Sequence, residues 1–232
     1  MVSWGTTANV SVPHPGPVGA LPTVAQASRT PGDGFLVEAG LAAAGSAFDW
    51  LAALTGRTVA RLWNAAAAVP PGARGATAYP WFTGARAPHW RPDATATFAG
   101  LRPDHSPAEL ARAVAEGVAY DVARSLELLD PGGSALVVAG GGAGNPTWRT
   151  VLGAVTARAV VVRRHVEAAS VGARMLAAVA TGDVVTLDAV NPIVSRAAPD
   201  SSTVQTYAAL REDADRRVAA LLGADERIER TP

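Results

Sequence analysis

The sequence predicts an α/β fold, a single domain with a long helical share. Three observations predict it. Short apolar runs bounded by glycine and proline read as buried strands. Apolar residues recurring at turn-like intervals read as helices. The clearest unit is a strand, a glycine turn, a helix and a second strand within residues 135–162, the alternation that builds a parallel sheet.

Taken in order, Val2-Ser3-Trp4, a tight turn at Gly5, and a second run to Val12 predict a hairpin. Residues 13–33 are rich in proline and glycine and predict a loop. Phe35 to Ala39 predicts a short strand. Leu41, Phe48, Leu51 and Leu54 then predict a helix ending at Gly56, and Arg57 to Val69 a second, stopped by Pro70-Pro71. Residues 76–82 predict a strand, and 83–105 an irregular segment. Ser106-Pro107-Ala108-Glu109 has serine to cap, proline at the first helical position and glutamate at the third, so a helix is predicted to about Leu129. Ala135 to Ala139 is a strand, 140–145 the glycine turn, Pro146 to Thr156 a helix, and Ala159 to Val162 a strand. Val166 to Thr181 predicts a helix whose alanines and glycines allow close packing, and Ser201 to Leu222 a final amphipathic helix.

Composition narrows the chemistry. The 232 residues include 51 alanines and no lysine, all 20 basic residues being arginine. A P-loop lysine, a Schiff-base lysine and a lysine general base are thereby excluded. Twenty acidic residues bring the net charge to zero, against the basic excess of a nucleic-acid binder. With no cysteine there is no disulfide, thiolate nucleophile or cysteine metal site. The four histidines (His14, His89, His105, His165) are scattered, so no metal site is expected. The sequence has no signal-peptide pattern and no apolar run of about 18 residues, and the expected location is the cytoplasm.

Gly140-Gly141-Gly142-Ala143-Gly144-Asn145 between a strand and a helix forms a phosphate cradle or a plain turn. As a cradle it brings the backbone close to an anion at a helix N-terminus. A dinucleotide fold, with Arg163 and Arg164 holding a 2′-phosphate, is one reading, but Asn145 stands where the third glycine of GxGxxG belongs. The other is an actin-like ATPase domain, in which the hairpin tip Gly5-Thr6-Thr7 offers N–H and hydroxyl groups to terminal phosphates.

With both motifs in place, the chain resembles the C-terminal domain of the FGGY family of carbohydrate kinases. Gly5-Thr6-Thr7 resembles its second phosphate motif, and Glu38-Ala39-Gly40 through Gly45-Ser46-Ala47-Phe48-Asp49-Trp50-Leu51 its glycine–xxxx–tryptophan-leucine helix. Residues 84–93, then Phe98 to Leu101, resemble the signature GERxPxWDPxARGxxxGL. Glu116-Gly117-Val118-Ala119 resembles the helix after it, residues 140–148 the adenosine motif, and 167–173 the EAxxxGAA helix. The departures are Ala85 and Ala87 for Glu and Thr of GERTP, Ala94-Thr95-Ala96 for ARG, and Asp49 where some members carry glutamine.

The resemblance implies an actin-like (ribonuclease H-like) α/β fold, residues 1–232 being the C-terminal nucleotide-binding half of a two-domain sugar kinase. It implies ATP with Mg²⁺ as cofactors and phosphorylation of a sugar or polyol hydroxyl. It allows a homodimer and implies no nucleic acid and no membrane. The nucleotide would meet Gly5, Thr6, Thr7, Gly45, Asp49, Gly140, Gly141, Gly142 and Asn145. The family's sugar pocket, first phosphate motif and catalytic aspartate precede the hairpin. No carboxylate here, Asp33, Glu38 and Asp49 included, is carried over as the catalytic base, and the chain alone is expected to be weakly active or inactive. The alternatives are a non-catalytic nucleotide-binding remnant and an NADP-binding domain. His89 and Trp90 are assigned to loop packing in preference to a contact with the interdomain cleft, Arg86 to a salt bridge closing the loop in preference to a cleft contact, and Trp148 to the core or to the adenine.

Overall fold

The computed structural model describes residues 1–31, 33–130, 132–133 and 135–223. The chain opens with the predicted hairpin, β1 (Val2–Trp4) and β2 (Ala8–His14), paired antiparallel with Trp4 opposite Ala8. β3 (Gln26–Arg29) and β4 (Phe35–Leu41) extend the sheet on the β2 side. β7 (Ala135–Gly140) pairs parallel with both β1 and β8 (Ala159–Arg163). β9 (Ile193–Ala197) closes the far edge antiparallel to β8, giving the order β3-β4-β2-β1-β7-β8-β9. A separate two-stranded ribbon pairs β5 (Thr77–Tyr79) with β6 (Thr97–Ala99).

The helices are α1 (Gly45–Thr55), α2 (Val59–Ala67), α3 (Pro107–Leu129), α4 (Pro146–Thr156), α5 (Ala168–Ala180), α6 (Leu187–Val190) and α7 (Ser201–Leu222). α3 lies at the centre, against α2, α4 and β5. Its start is a full capping box: the Ser106 hydroxyl accepts from the Ala108 N–H, and the Glu109 carboxylate accepts from the Ser106 N–H at 2.9 Å and hydroxyl at 2.8 Å. Gly117 lets the ribbon dock, since a Cβ there would fall 2.1 Å from the Ala78 carbonyl oxygen.

Because α3 is buried nearly all round, its polar side chains must find partners inside. Glu116 Oε1 accepts from Arg112 Nε at 2.8 Å, the Tyr207 hydroxyl at 2.7 Å and the Gly72 N–H at 3.0 Å. Asp121 accepts from Trp81 Nε1, His89 Nε2 and Arg124 Nη1 at 3.0, 3.1 and 2.7 Å. Burial alone would raise the Asp121 pKa, but the His89 hydrogen bond and the charges of His89 and Arg124 hold it below the usual carboxylate value. His89 therefore pins its loop to α3, as expected. Arg86 does not close that loop. Among the described residues it forms no ion pair; Asp93 is taken by Arg91 instead, and the Arg86 guanidinium lies over Gly40.

Other departures are physical too. α1 starts at Gly45 rather than Leu41, because β4 runs on to Leu41. β3, β6, α6 and β9 were absent from the expected elements. β3 is exposed along its whole length, so it carries no alternating pattern, and β6 is three residues long. α5 does not pack closely: Val171 is its one buried residue. No helix among the described residues is long and apolar enough to cross a membrane.

Candidate functional site

The hairpin and the start of α1 are locked together. The Gly5 N–H donates to the Thr7 carbonyl at 2.9 Å and closes the tip. The Gly5 carbonyl accepts from the Gly45 N–H at 2.9 Å, and the Thr6 carbonyl from Ala44 at 3.1 Å and Ser46 at 3.0 Å. Helix N-termini leave N–H groups without partners, and Ala44 has no side-chain oxygen to cap this one, so the hairpin carbonyls do it. This revises the expected role of the tip. The Gly5 N–H is spent inside the turn, while the exposed hydroxyls of Thr6 and Thr7 have no partner among the described residues.

Parallel pairing of β1 with β7 sets Trp4 opposite Gly140, so the glycine turn emerges beside the hairpin. Residues 141–144 form one 3₁₀ turn leading to Asn145, whose Oδ1 accepts from the Trp148 N–H at 3.0 Å and caps α4. The positive end of the α4 dipole thus borders the turn.

Between these parts lies an open cleft of about 580 Å³. The hairpin contributes Gly5 and Thr6, α1 contributes Gly45 and Asp49, and the glycine turn contributes Gly141, Gly142, Gly144 and Asn145. Val59, Ala60, Trp63 and Asn64 of α2 form the far wall, and Trp4 the floor. The floor is an aromatic cluster: Trp4 lies 4.1 Å from Trp148, and Phe48 stacks on Trp63 at 4.0 Å between ring centroids. Trp148 is fully buried, which assigns it to the core. Among the described residues, Asp49 is the one ionisable side chain in the lining.

Seven of the nine expected residues therefore face one space: Gly5, Thr6, Gly45, Asp49, Gly141, Gly142 and Asn145. Gly140 sits behind it, at φ +75°, where a Cβ would be 2.4 Å from the Trp4 carbonyl oxygen. Thr7 turns to the opposite flank of the hairpin. There it borders a second cleft of about 500 Å³ with Asn9, Glu38, Arg86 and the exposed Trp90. In it Glu38 Oε1 accepts from Asn9 Nδ2 at 2.7 Å and from the Ser11 hydroxyl at 3.0 Å. Arg163 is held by Asp188 at 2.7 Å and by the Asn191 carbonyl at 2.6 Å. Among the described residues no three His, Cys, Asp or Glu side chains are arranged to hold a metal ion.

The glycines divide into two groups. At Gly45 a Cβ would lie 2.6 Å from the Gly5 carbonyl oxygen, and at Gly142 2.5 Å from Trp4 Cγ, so the fold itself demands both. At Gly141 and Gly144 a Cβ would meet nothing within 4 Å, and neither has a positive φ. The fold does not demand glycine at either, and both leave bare backbone along the cleft. The α2 wall was not foreseen, because Val59, Ala60 and Asn64 carry no motif and only the packing of α2 beside α1 brings them in.

Residues 1–181 match the FGGY family of carbohydrate kinases, C-terminal domain. The chain is 32% identical over 187 residues to a xylulose kinase of Escherichia coli, covering 77% of this chain and 39% of that one. It is 32% identical over 146 residues to a gluconokinase of Bacillus licheniformis, covering 60% and 28%. The solved xylulose kinase of Rhodospirillum rubrum superposes with a TM-score of 0.81 at 27% identity, over 95% of this chain and 46% of the other. The chain thus spans less than half the length of each of these relatives.

Proposed function

Since the chain belongs to the FGGY family of carbohydrate kinases and has the actin-like fold of that family's C-terminal domain, we propose that it supplies the ATP-binding half of a carbohydrate kinase. The observation that carries this is the meeting of the hairpin tip and the glycine turn on one cleft, although 135 residues separate Gly5 from Gly140 in sequence.

In this reading the terminal phosphates lie against the Thr6 hydroxyl, the α-phosphate against the open backbone of Gly141, the adenosine extends toward Asn145 and the α2 wall, and Trp4 and Trp63 keep water from the floor. Mg²⁺ travels with the phosphates, as is usual for an ion that prefers phosphate oxygens and water to a protein cage. What these residues contribute is positioning and charge stabilisation for in-line transfer, and neither needs lysine. The acceptor is a sugar or polyol hydroxyl that approaches the hairpin from the Thr7 flank.

No carboxylate of this chain is assigned as the base. Glu38 is engaged by Asn9 and Ser11, and Asp49 stands one helical turn from the hairpin. The 232-residue chain on its own is expected to bind ATP with little or no transfer to sugar. Titration of the purified chain with Mg·ATP, followed by the fluorescence of Trp4 and Trp63, tests the first part. Thr6→Val is expected to weaken ATP about tenfold, the worth of one charge-assisted hydrogen bond, and to leave AMP unchanged. Absence of ATP binding would refute the nucleotide reading. Robust sugar-dependent ATP turnover by the lone chain would refute the half-kinase reading. Binding with no transfer to any sugar or polyol, even beside a supplied N-terminal half of the family, supports the non-catalytic alternative.

A further inference from the structure

We propose that the pocket between α4, β8, β9 and the start of α7 binds a free α-amino acid with an apolar side chain. Arg149 pairs with its carboxylate, Asp200 accepts from its ammonium group, and the alkyl chain fills the floor. Among the described residues the pocket shares only Pro146 with the glycine-turn cleft, so the proposal does not depend on the nucleotide reading.

The floor follows from small side chains. On α4, Arg149, Thr150, Gly153 and Ala154 recur at helical spacing and share one face. Across the sheet Val160 stands opposite Ala197 and Val162 opposite Ser195, so these four share one face as well. Val161 and Arg196, paired between them, belong to the other face and line nothing here. Where Gly153, Ala154 and Ala197 meet, no side chain is longer than a methyl group, and a cavity of about 220 Å³ is left. That is room for a leucine-sized chain, since an apolar cavity of about 150 Å³ already takes benzene.

The rim supplies two charges of opposite sign, and the rest of the lining carries none. Arg149 forms no hydrogen bond or ion pair with any described residue. Asp200 caps α7 through Oδ2, which accepts from the Ser202 hydroxyl at 2.5 Å, the Thr203 N–H at 2.8 Å and the Thr203 hydroxyl at 2.9 Å. Oδ1 is left as an open acceptor. The Thr150 hydroxyl is spent on the Pro146 carbonyl at 3.0 Å. A ligand with a single charge is drawn to one of the two rim groups and repelled by the other. A ligand with both charges at one end and an alkyl chain at the other suits the whole pocket. A few placed polar groups over an apolar floor is the usual build of a small-molecule site.

The test is titration of the full chain, followed by NMR, with leucine, 4-methylpentanoate (leucine without its ammonium), 3-methylbutylamine (leucine without its carboxylate) and glycine. Leucine is expected to saturate the amide shifts of Thr150, Gly153, Ser195 and Thr203 with a Kd of about 1 mM or tighter. The two truncated ligands should bind about tenfold more weakly, the worth of one hydrogen bond to a charged group, and glycine weaker still. Arg149→Gln should weaken leucine about tenfold and leave 3-methylbutylamine unchanged. Asp200→Asn keeps the cap, since asparagine caps as well as aspartate; it should weaken leucine and leave 4-methylpentanoate no worse. Ala197→Leu fills the floor and should abolish binding of all three alkyl ligands, while melting like the wild type because Ala197 is exposed. Absence of saturation by leucine overturns the proposal. Equal affinity for leucine and 4-methylpentanoate, or for leucine and glycine, also overturns it, because one of the three contacts is then not made. Undiminished leucine binding by Ala197→Leu, or shifts confined to the hairpin and glycine turn, places the ligand elsewhere and overturns it too.

Discussion

Gly141 and Gly142 are neighbours in one motif, yet the structure assigns them opposite reasons for being glycine, and substitution separates them. A Cβ at Gly142 would fall 2.5, 2.6 and 2.9 Å from Trp4 Cγ, Cβ and Cδ1. Trp4 cannot retreat, because Trp148, Trp63 and Phe48 pack against its ring. Overpacking of this kind costs about 1–3 kcal/mol, which for a domain of this size is roughly 2–4 °C in Tm per kcal/mol. Gly142→Ala is therefore expected to melt about 2–12 °C below the wild type. At Gly141 a Cβ meets open space, so Gly141→Val should melt within about 2 °C of the wild type. Its side chain would instead occupy the cleft where, in the proposed reading, the backbone meets phosphate. Losing one charge-assisted hydrogen bond, about 1.5–3 kcal/mol, weakens ATP ten- to a hundredfold. Thermal unfolding by circular dichroism and calorimetric titration of the same two variants give both readouts. Wild-type affinity in Gly141→Val would refute the placement of phosphate on the turn. Equal melting of the two variants would refute the division of the glycines.

Three further outcomes follow from the core around α3. Asp121→Ala strips the acceptor from His89, Trp81 and Arg124 at once; breaking a buried charged network costs about 3–5 kcal/mol, so the Tm in a melting experiment should fall by about 10 °C. Gly117→Ala drives a Cβ onto the Ala78 carbonyl and should leave little soluble, folded protein on expression, whereas Gly172→Ala, with nothing within 4 Å, should express normally. Glu109 is held down at about 2 by the Ser106 N–H and then the Ser106 hydroxyl. A depressed carboxylate contributes stability that is full above its unfolded value of 4.5 and lost as pH falls toward about 2. Glu109→Gln should thus melt about 2–4 °C low at pH 7, the worth of about 1 kcal/mol of capping. Scans at descending pH should show the gap closing between 4.5 and 2, and a gap that stays constant would contradict the assignment.

What the sequence made legible is local. The capping box at Ser106, the strand–turn–helix at 135–156 and the hairpin around Gly5 are each specified within a few residues, and each is found where it was expected. What stayed hidden depends on partners far along the chain. Nothing at Val59 or Asn64 marks a cleft wall until α2 is placed beside α1. Edge strands β3 and β9 face solvent over most of their residues and so lack the alternation that reveals a strand. Arg86 was assigned a bridge closing its loop, but the nearby carboxylate Asp93 is two residues from Arg91, which takes it in a two-point contact.

Trp4 shows why the motif could be found without being understood. Its backbone pairs with Gly140 across β1 and β7, and a Cβ at Gly140 would strike its carbonyl oxygen at 2.4 Å. Its ring fills the space where a Gly142 Cβ would go, and its indole nitrogen lies 3.6 Å from where a Gly45 Cβ would stand. Gly142 therefore answers to the bulk of the tryptophan ring, Gly140 to the close approach of the Trp4 backbone, and Gly45 to the Gly5 carbonyl. The parallel pairing of β1 with β7 brings the hairpin and the glycine turn side by side, and the Trp4 ring fills the space beneath them. A glycine-rich run reads from sequence as one device for approaching a ligand. Here it is two: Gly140 and Gly142 let the turn close on Trp4, and Gly141 and Gly144 leave the backbone bare once it has closed. In the nucleotide reading proposed above, the phosphates need no lysine, because the packing of these segments rather than a long flexible cation would hold the donors at a fixed spacing.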